Sequence, residues 1–215
     1  VLQVLPELPV LLHPTVVMRT AAVRAVGGYR AAYARAEDCD LWLRISERGA
    51  IANLSEVVLD FRRHGDNVSY VHRTQQLLDV LAARMAWLTR RATGRDPFEG
   101  FVGTFDLATL IAADIPPAVR DEWTAIAFMA AVRYGRDPDA VLWRWVDEAA
   151  HARLGPHSSD AFRERVARAH FSLARLAYQE GRRRDVVRHV ARAISIAPRA
   201  ATRRLVRFAR RLVTQ

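Results

Sequence analysis

Two adjacent carboxylates, Glu37 and Asp38, begin a segment in which apolar residues recur at the spacing of an α-helix. The positive end of a helix dipole keeps a carboxylate at this position ionised. Such a carboxylate, projecting into a cleft, can take a proton from a hydroxyl group as that group attacks an electrophile. Asp38 is therefore our candidate general base. The alternative is that Glu37, Asp38 and Asp40 only cap a helix, because acidic first turns are common.

The elements predicted around these carboxylates include both strands and helices. β-branched and apolar runs predict three strands, at residues 11–18, 51–54 and 57–61. Helical spacing predicts two helices, at residues 20–26 and 37–47, with Gly27-Gly28 stopping the first and Gly49 capping the second. The glycine pair permits a backbone turn that a side chain would block. The pattern of residues 1–75 is thus typical of an α/β fragment.

Beyond residue 75 nearly every segment has helical periodicity, so we predict a domain boundary there and an all-α region over residues 76–215. Glycine and proline separate the predicted helices. These are residues 72–93, 104–113, 116–134, 138–153, 159–180, 183–196 and 199–213. Four histidines of this region have no spacing typical of metal ligands, and we interpret each as structural: His151, His157, His170 and His189.

Charge and cysteine content exclude several classes of protein. The 215 residues include 33 basic and 23 acidic ones, and the formal net charge is +10. The excess lies within residues 181–215, which does not fit a nucleic-acid binder with a uniformly basic surface. The single cysteine, Cys39, excludes an internal disulfide and fits a reducing compartment. No apolar run of about eighteen residues occurs, so we expect no membrane-spanning helix and a cytoplasmic location.

Several short motifs follow one another in a fixed order along residues 10–70. They are His13-Pro-Thr-Val-Val-Met-Arg19, Val26-Gly-Gly-Tyr-Arg30, Ala36-Glu-Asp-Cys-Asp-Leu-Trp-Leu-Arg44, Glu47-Arg-Gly49 and Phe61-Arg-Arg-His64. In this order and at this spacing they resemble the acceptor-side half of family 2 glycosyltransferases. The resemblance implies that residues 1–75 are the carboxyl-terminal half of a GT-A domain.

The same resemblance implies an inverting transfer of a sugar from a nucleotide-sugar donor to an acceptor hydroxyl, in the synthesis of a cell-surface polysaccharide or glycoconjugate. Asp38 would be the base, and Glu37 would help to order the acceptor. The acceptor site would be formed by His13, Thr15, Gly28, Tyr29 and Trp42. The donor diphosphate would contact Arg62 and His64, and His64 is also a candidate ligand of a divalent cation, Mg²⁺ or Mn²⁺. A surface or structural role for His64 is the alternative.

The cation and the nucleotide would be bound mainly by residues that this sequence does not contain. The family binds them with an Asp-x-Asp motif that follows a strand. Here Asp38-Cys39-Asp40 opens a predicted helix instead, and Asp137-Pro138-Asp139 fits a helix start. Because the chain also begins without Met, we expect a longer parent chain and an inactive fragment.

Residues 165–198 resemble a single tetratricopeptide-type helical hairpin, with small residues at the helix crossing and Gly181 in the turn. An ordinary helical hairpin is the alternative. Residues 199–213 form a predicted cationic amphipathic helix, which either lies on the inner face of the membrane or packs on its own domain. These features support a second hypothesis, a non-enzymatic helical scaffold with a vestigial transferase segment.

Overall fold

The computed structural model describes residues 11–60, 72–134, 140–155 and 157–202. Single turns of 3-10 helix occupy His13–Thr15 and Ala31–Tyr33. The α-helices are α1 (Thr20–Ala25), α2 (Glu37–Ser46), α3 (Arg73–Thr93), α4 (Leu107–Ala112), α5 (Pro117–Tyr134), α6 (Ala140–Ala152), α7 (Asp160–Gln179) and α8 (Arg183–Ile196). None of these helices combines the length and the hydropathy needed to cross a membrane.

The α/β fragment of a GT-A domain predicted for residues 1–75 is wrong, because the described part of this region contains helices and no β-strand. Residues 11–18 hold a single 3-10 turn, and residues 51–54 and 57–60 have no strand partner. High β-propensity reports a side chain that fits a pleated, half-buried surface, and it forms a strand only where a neighbouring strand completes the hydrogen bonds. Val57, at 88% exposure, has no such surface to cover it.

The helices beyond residue 75 begin and end close to the predicted residues, because glycine and proline interrupt the pattern at each break. Gly94 ends α3 with a φ of 77°, and its N–H donates to the Arg90 carbonyl oxygen at 2.8 Å. The end of α2 differs from the prediction, since Glu47 rather than Gly49 is its C-cap. Residues 203–215, which contain most of the predicted amphipathic helix, lie outside the described ranges.

The chain divides into two compact units, Val1–Trp123 and Thr124–Gln215. The boundary that we predicted near residue 75 lies inside the first unit. There α3 packs against α2 and against the 3-10 turn at Ala31–Tyr33. The extent of the first unit is therefore set by long-range packing between these helices. Periodicity along the sequence gives no information about such packing.

A buried carboxylate, Asp40, organises the first unit. Asp40 is 0% exposed and accepts hydrogen bonds from Arg30 Nε at 3.0 Å and from Arg44 Nη2 at 2.6 Å. Arg30 Nη2 also pairs with the second Asp40 oxygen. The Arg44 guanidinium in turn donates to the carbonyl oxygens of Val26 and, at 2.7 Å, Gly28. One carboxylate therefore links α2 to the glycine turn that follows α1.

The ion pairs continue from Arg30 to the end of α3. Asp96 accepts hydrogen bonds from Arg30 at 2.8 Å and from Arg90 at 2.7 Å, and Arg90 also donates to Glu47 at 2.7 Å. Burial would raise the pKa of Asp96, but hydrogen bonds from Arg30 and from the Phe98 N–H hold it below its ordinary value. Opposite charges thus alternate across α2, the end of α3 and the segment that follows it.

The second unit contains the helical hairpin formed by α7 and α8. Its turn is made by Gly181, with a φ of 72°, and is closed by a hydrogen bond of 2.8 Å from the Arg182 N–H to the Ala177 carbonyl oxygen. Ala174, Ala177 and Ala193 are fully buried, so small side chains allow the two helices to pack closely. The tetratricopeptide-type resemblance stays a prediction, because an ordinary hairpin would show the same packing.

Asp40→Asn should lower the free energy of unfolding by about 3–5 kcal/mol, because it leaves two guanidinium groups beside a neutral amide in a buried site. Urea denaturation followed by circular dichroism measures this loss. Asp114→Asn is the matched control, since the Arg95–Asp114 pair is exposed at both side chains and should contribute at most about 1 kcal/mol. Equal, small effects of the two substitutions would contradict the central role of Asp40.

Candidate functional site

Three of the predicted acceptor-binding side chains lie together. The His13 Nε2 atom is 3.0 Å from the Tyr29 hydroxyl oxygen, and the two ring centroids are 5.9 Å apart. The His13 ring also meets Trp42 edge-on, with centroids 5.8 Å apart. His13 and Tyr29 are exposed whereas Trp42 is buried. The cluster therefore presents an aromatic surface to solvent with a buried indole behind it.

Local backbone geometry positions this cluster. The 3-10 turn at His13–Thr15 is closed by the Thr15 hydroxyl, which donates to the Leu12 carbonyl oxygen at 2.7 Å. Gly27 and Gly28 have φ values of 80° and 71°, in the region that favours glycine, and they reverse the chain just before Tyr29. Of the predicted acceptor residues, Thr15 and Gly28 thus shape the site, Gly28 through the carbonyl oxygen that accepts from Arg44.

Asp38 lies one helical turn before Trp42 on α2. Residues four apart share one helix face, with about 5–6 Å between their Cβ atoms, so Asp38 lies on the same face of α2 as Trp42, the buried member of the aromatic cluster. Asp38 is half-buried, and its Oδ1 accepts the Cys39 N–H at 2.7 Å. Glu37 is also half-buried, and no described side chain pairs with its carboxylate. Both acids retain oxygens that can contact a ligand.

The indole N–H of Trp42 is buried, and it has no hydrogen-bond acceptor in the part of the chain that the structure describes. Most buried polar groups in native proteins have a partner, so an unpaired donor at the base of an aromatic surface requires an explanation.

Asp38 and Asp40 have different surroundings, although only Cys39 separates them. Asp40 points into the buried arginine pair, whereas Asp38 lies on the Trp42 face of α2. The Asp-x-Asp sequence therefore does not present two carboxylates to one cation, and the described residues contain no group of three or more potential ligands that could hold a metal. Arg62, His64 and the Asp137-Pro138-Asp139 segment lie outside the described residues.

A buried arginine beside Cys39 was missed by the sequence interpretation. Burial raises the pKa of the Cys39 thiol to about 11, with the nearby Arg84 charge acting in the opposite direction, so the thiol is protonated at neutral pH. Arg84 is 0% exposed, and apart from its contact with the Cys39 thiol its guanidinium nitrogens have no hydrogen-bond partner among the described residues. The only sequence signal is a lone arginine among the apolar positions of α3, between Leu81 and Leu88.

No family model, curated protein or solved structure matches the chain. The resemblance to family 2 glycosyltransferases therefore rests on the ordered motifs themselves. Among the described residues, the structure brings together His13, Tyr29 and Trp42 from three of these motifs.

Arg84→Met should raise the free energy of unfolding by about 1–4 kcal/mol, because methionine fills similar space without a buried charge whose one contact among the described residues is the Cys39 thiol. Chemical denaturation of the two proteins measures the difference. The exposed Arg48, changed to Met in the same way, should leave stability within about 0.5 kcal/mol. A loss of stability in Arg84→Met would show that the guanidinium has partners in solution.

Proposed function

We propose that the first unit binds a saccharide at the aromatic cluster of His13, Tyr29 and Trp42, and that Asp38 deprotonates one of its hydroxyl groups in an inverting sugar transfer. The supporting observation is the aromatic cluster itself, whose Trp42 lies one helical turn after Asp38 on α2. The proposal concerns the acceptor side of the reaction. It assigns the nucleotide-sugar donor, and any divalent cation, to no described residue.

The chemistry of the cluster suits a sugar. A pyranose ring has an apolar face of C–H groups, which packs against an aromatic ring, and an edge of hydroxyl groups, which needs hydrogen-bond partners. Tyr29 and His13 offer an exposed aromatic surface with a hydroxyl and an imidazole nitrogen at its edge. The half-buried carboxylates of Glu37 and Asp38, on the helix that carries Trp42, add hydrogen-bond acceptors.

In the proposed reaction, the acceptor hydroxyl oxygen bonds to the anomeric carbon of the donor sugar as the bond from that carbon to the diphosphate oxygen breaks. The hydroxyl proton moves to Asp38, and the anomeric configuration inverts. The rate of this step depends on how the acceptor hydroxyl is placed relative to the Asp38 carboxylate. Glu37, adjacent to it, would order the acceptor by accepting a second hydroxyl hydrogen bond.

Tyr29→Ala should weaken saccharide binding by about tenfold or more, since stacking area and a hydroxyl group are both lost. The measurement is a titration of the purified chain with a panel of oligosaccharides, followed by NMR shifts of His13 and Trp42. Tyr178→Ala is the matched control, because Tyr178 is 48% exposed and Tyr29 is 47% exposed. Failure of every oligosaccharide to shift the His13 and Trp42 signals would refute the binding site.

Asp38→Asn should reduce sugar transfer by about 10²–10⁴-fold while saccharide affinity is retained, because only proton removal is lost. The assay is transfer from a nucleotide sugar in a form of the protein with measurable transfer activity. Asp60→Asn, at an exposed position, is the control for the loss of one negative charge. Undiminished transfer by Asp38→Asn would refute the assignment of the base.

The helical scaffold is the second candidate function, and one observation favours it. Val187 and Ile194 are exposed on α8, and their spacing of seven residues places them on one helix face. A partner helix could cover this face. Hydrogen exchange separates the two candidates, because saccharide binding should protect the segments around His13 and Tyr29, whereas a protein partner of the scaffold should protect α8.

A further inference from the structure

Three histidines from three helices form a continuous row in the second unit. His170 Nε2 of α7 is 3.2 Å from His151 Nε2 of α6, and His170 Nδ1 is 3.1 Å from His189 Nδ1 of α8. The ring centroids are 5.2 Å and 5.4 Å apart. Phe128 of α5 packs edge-on against the His170 ring, with centroids 5.4 Å apart. We refer to His151, His170 and His189 as the imidazole ladder.

One end of the ladder fixes the positions of its hydrogens. His151 Nδ1 is 2.7 Å from the Asp147 carbonyl oxygen and 3.4 Å from the Asp147 carboxylate, and both of these groups accept hydrogen bonds. His151 Nδ1 therefore carries hydrogen, and its Nε2 in the neutral ring is an acceptor. His170 must then donate from Nε2 and accept at Nδ1, and His189 must donate from Nδ1. Three neutral rings form one directional chain of hydrogen bonds.

The ladder can accept one additional proton without loss of a contact. That proton can enter at His189 Nε2, the open end, and each inter-ring gap still holds a single hydrogen. A second additional proton would place two hydrogens in one of the gaps of 3.1–3.2 Å, where two N–H groups would face each other. Double protonation is therefore incompatible with the packed arrangement of the three rings.

The surroundings oppose protonation of the central ring. His170 is 0% exposed, and burial, with the His151, His189 and Arg192 charges, lowers its pKa to about 3. Burial also lowers the pKa of His189, and Arg188 and Arg192 act in the same direction while Asp185 and Asp147 oppose them. Phe128, the contact from α5, carries no charge. The packed helices thus hold the central ring neutral.

We propose that the imidazole ladder is a proton-operated latch, which holds α6, α7 and α8 together near neutral pH and releases them in mildly acidic solution. The geometry supplies the mechanism, because the three rings come from three helices and a second additional proton separates them. The proposal concerns the second unit and is independent of the saccharide site.

The direction of the pH dependence follows from the numbers of protons that the folded and unfolded states bind. The pKa of His170 is about 3 in the folded protein and 6.5 in an ordinary environment, so the unfolded chain binds more protons between these values. Stability from this residue is fully present above pH 6.5 and is lost as the pH falls below it. As the pH falls through this window, the folding constant decreases by up to about tenfold per pH unit for each histidine that must remain neutral in the folded protein.

Hydrogen exchange of the full chain between pH 7.5 and 5.0, corrected for the intrinsic exchange rate and performed with EDTA, tests the latch. Protection of residues 140–196 should fall by about tenfold or more per pH unit below pH 6.5. His170→Phe, which fills the same space without a titrating group, should retain the helices at pH 7.5 and lose this dependence. His157→Phe, at an exposed histidine of the same unit, should keep it.

Unchanged protection at pH 5.0, or an undiminished pH dependence in His170→Phe, would overturn the proposal. A transition that EDTA removes would also overturn it, because a bound metal would then hold the helices. If His170→Phe does not fold, imidazole ¹⁵N NMR of the natural chain decides. The ladder requires the Nε2–H tautomer of His170 at pH 7.5, and the Nδ1–H tautomer would refute it.

Discussion

The interaction on which the first unit depends is the pairing of one buried carboxylate, Asp40, with Arg30 and Arg44. A charge inside a protein is tolerated only when opposite charges and hydrogen bonds compensate for lost hydration. Arg44, which pairs with Asp40, also donates to the Gly28 carbonyl oxygen. The same side chain therefore holds the turn that precedes Tyr29. The aromatic cluster and the Trp42 face of α2 are thereby brought to one place.

This arrangement gives two neighbouring aspartates different surroundings. Asp40 is held by arginines and acts in folding, whereas Asp38 lies on the helix face of Trp42 and retains oxygens for a ligand. The helix itself makes the separation, since residues two apart point about 200° apart around its axis. The Asp38-Cys39-Asp40 sequence resembles a cation-binding motif, but its two carboxylates point in different directions. Asp40 has a structural role, and Asp38 is a candidate catalytic residue.

Helix positions beyond residue 75 could be predicted from the sequence, because Gly94, the proline breaks and Gly181 act locally on the backbone. The absence of strands at residues 51–54 and 57–60 could not be predicted, because β-branched residues such as Val57 and Val58 form a strand only against a partner that the sequence pattern does not show. The motif order led to His13, Tyr29 and Trp42. It gave no indication of Arg84 or of the imidazole ladder, which depend on packing between helices.

Three fully buried polar side chains have different surroundings: Asp40, His170 and Arg84. Asp40 is surrounded by guanidinium donors, and His170 avoids a charge by joining a chain of neutral rings. Arg84 contacts the Cys39 thiol and pairs with no carboxylate among the described residues. The first two positions therefore add specificity to the packing of their helices, whereas we expect Arg84 to lower the stability of the packing around α3. A costly position of this kind persists either because a ligand or partner uses it or because selection tolerates the loss.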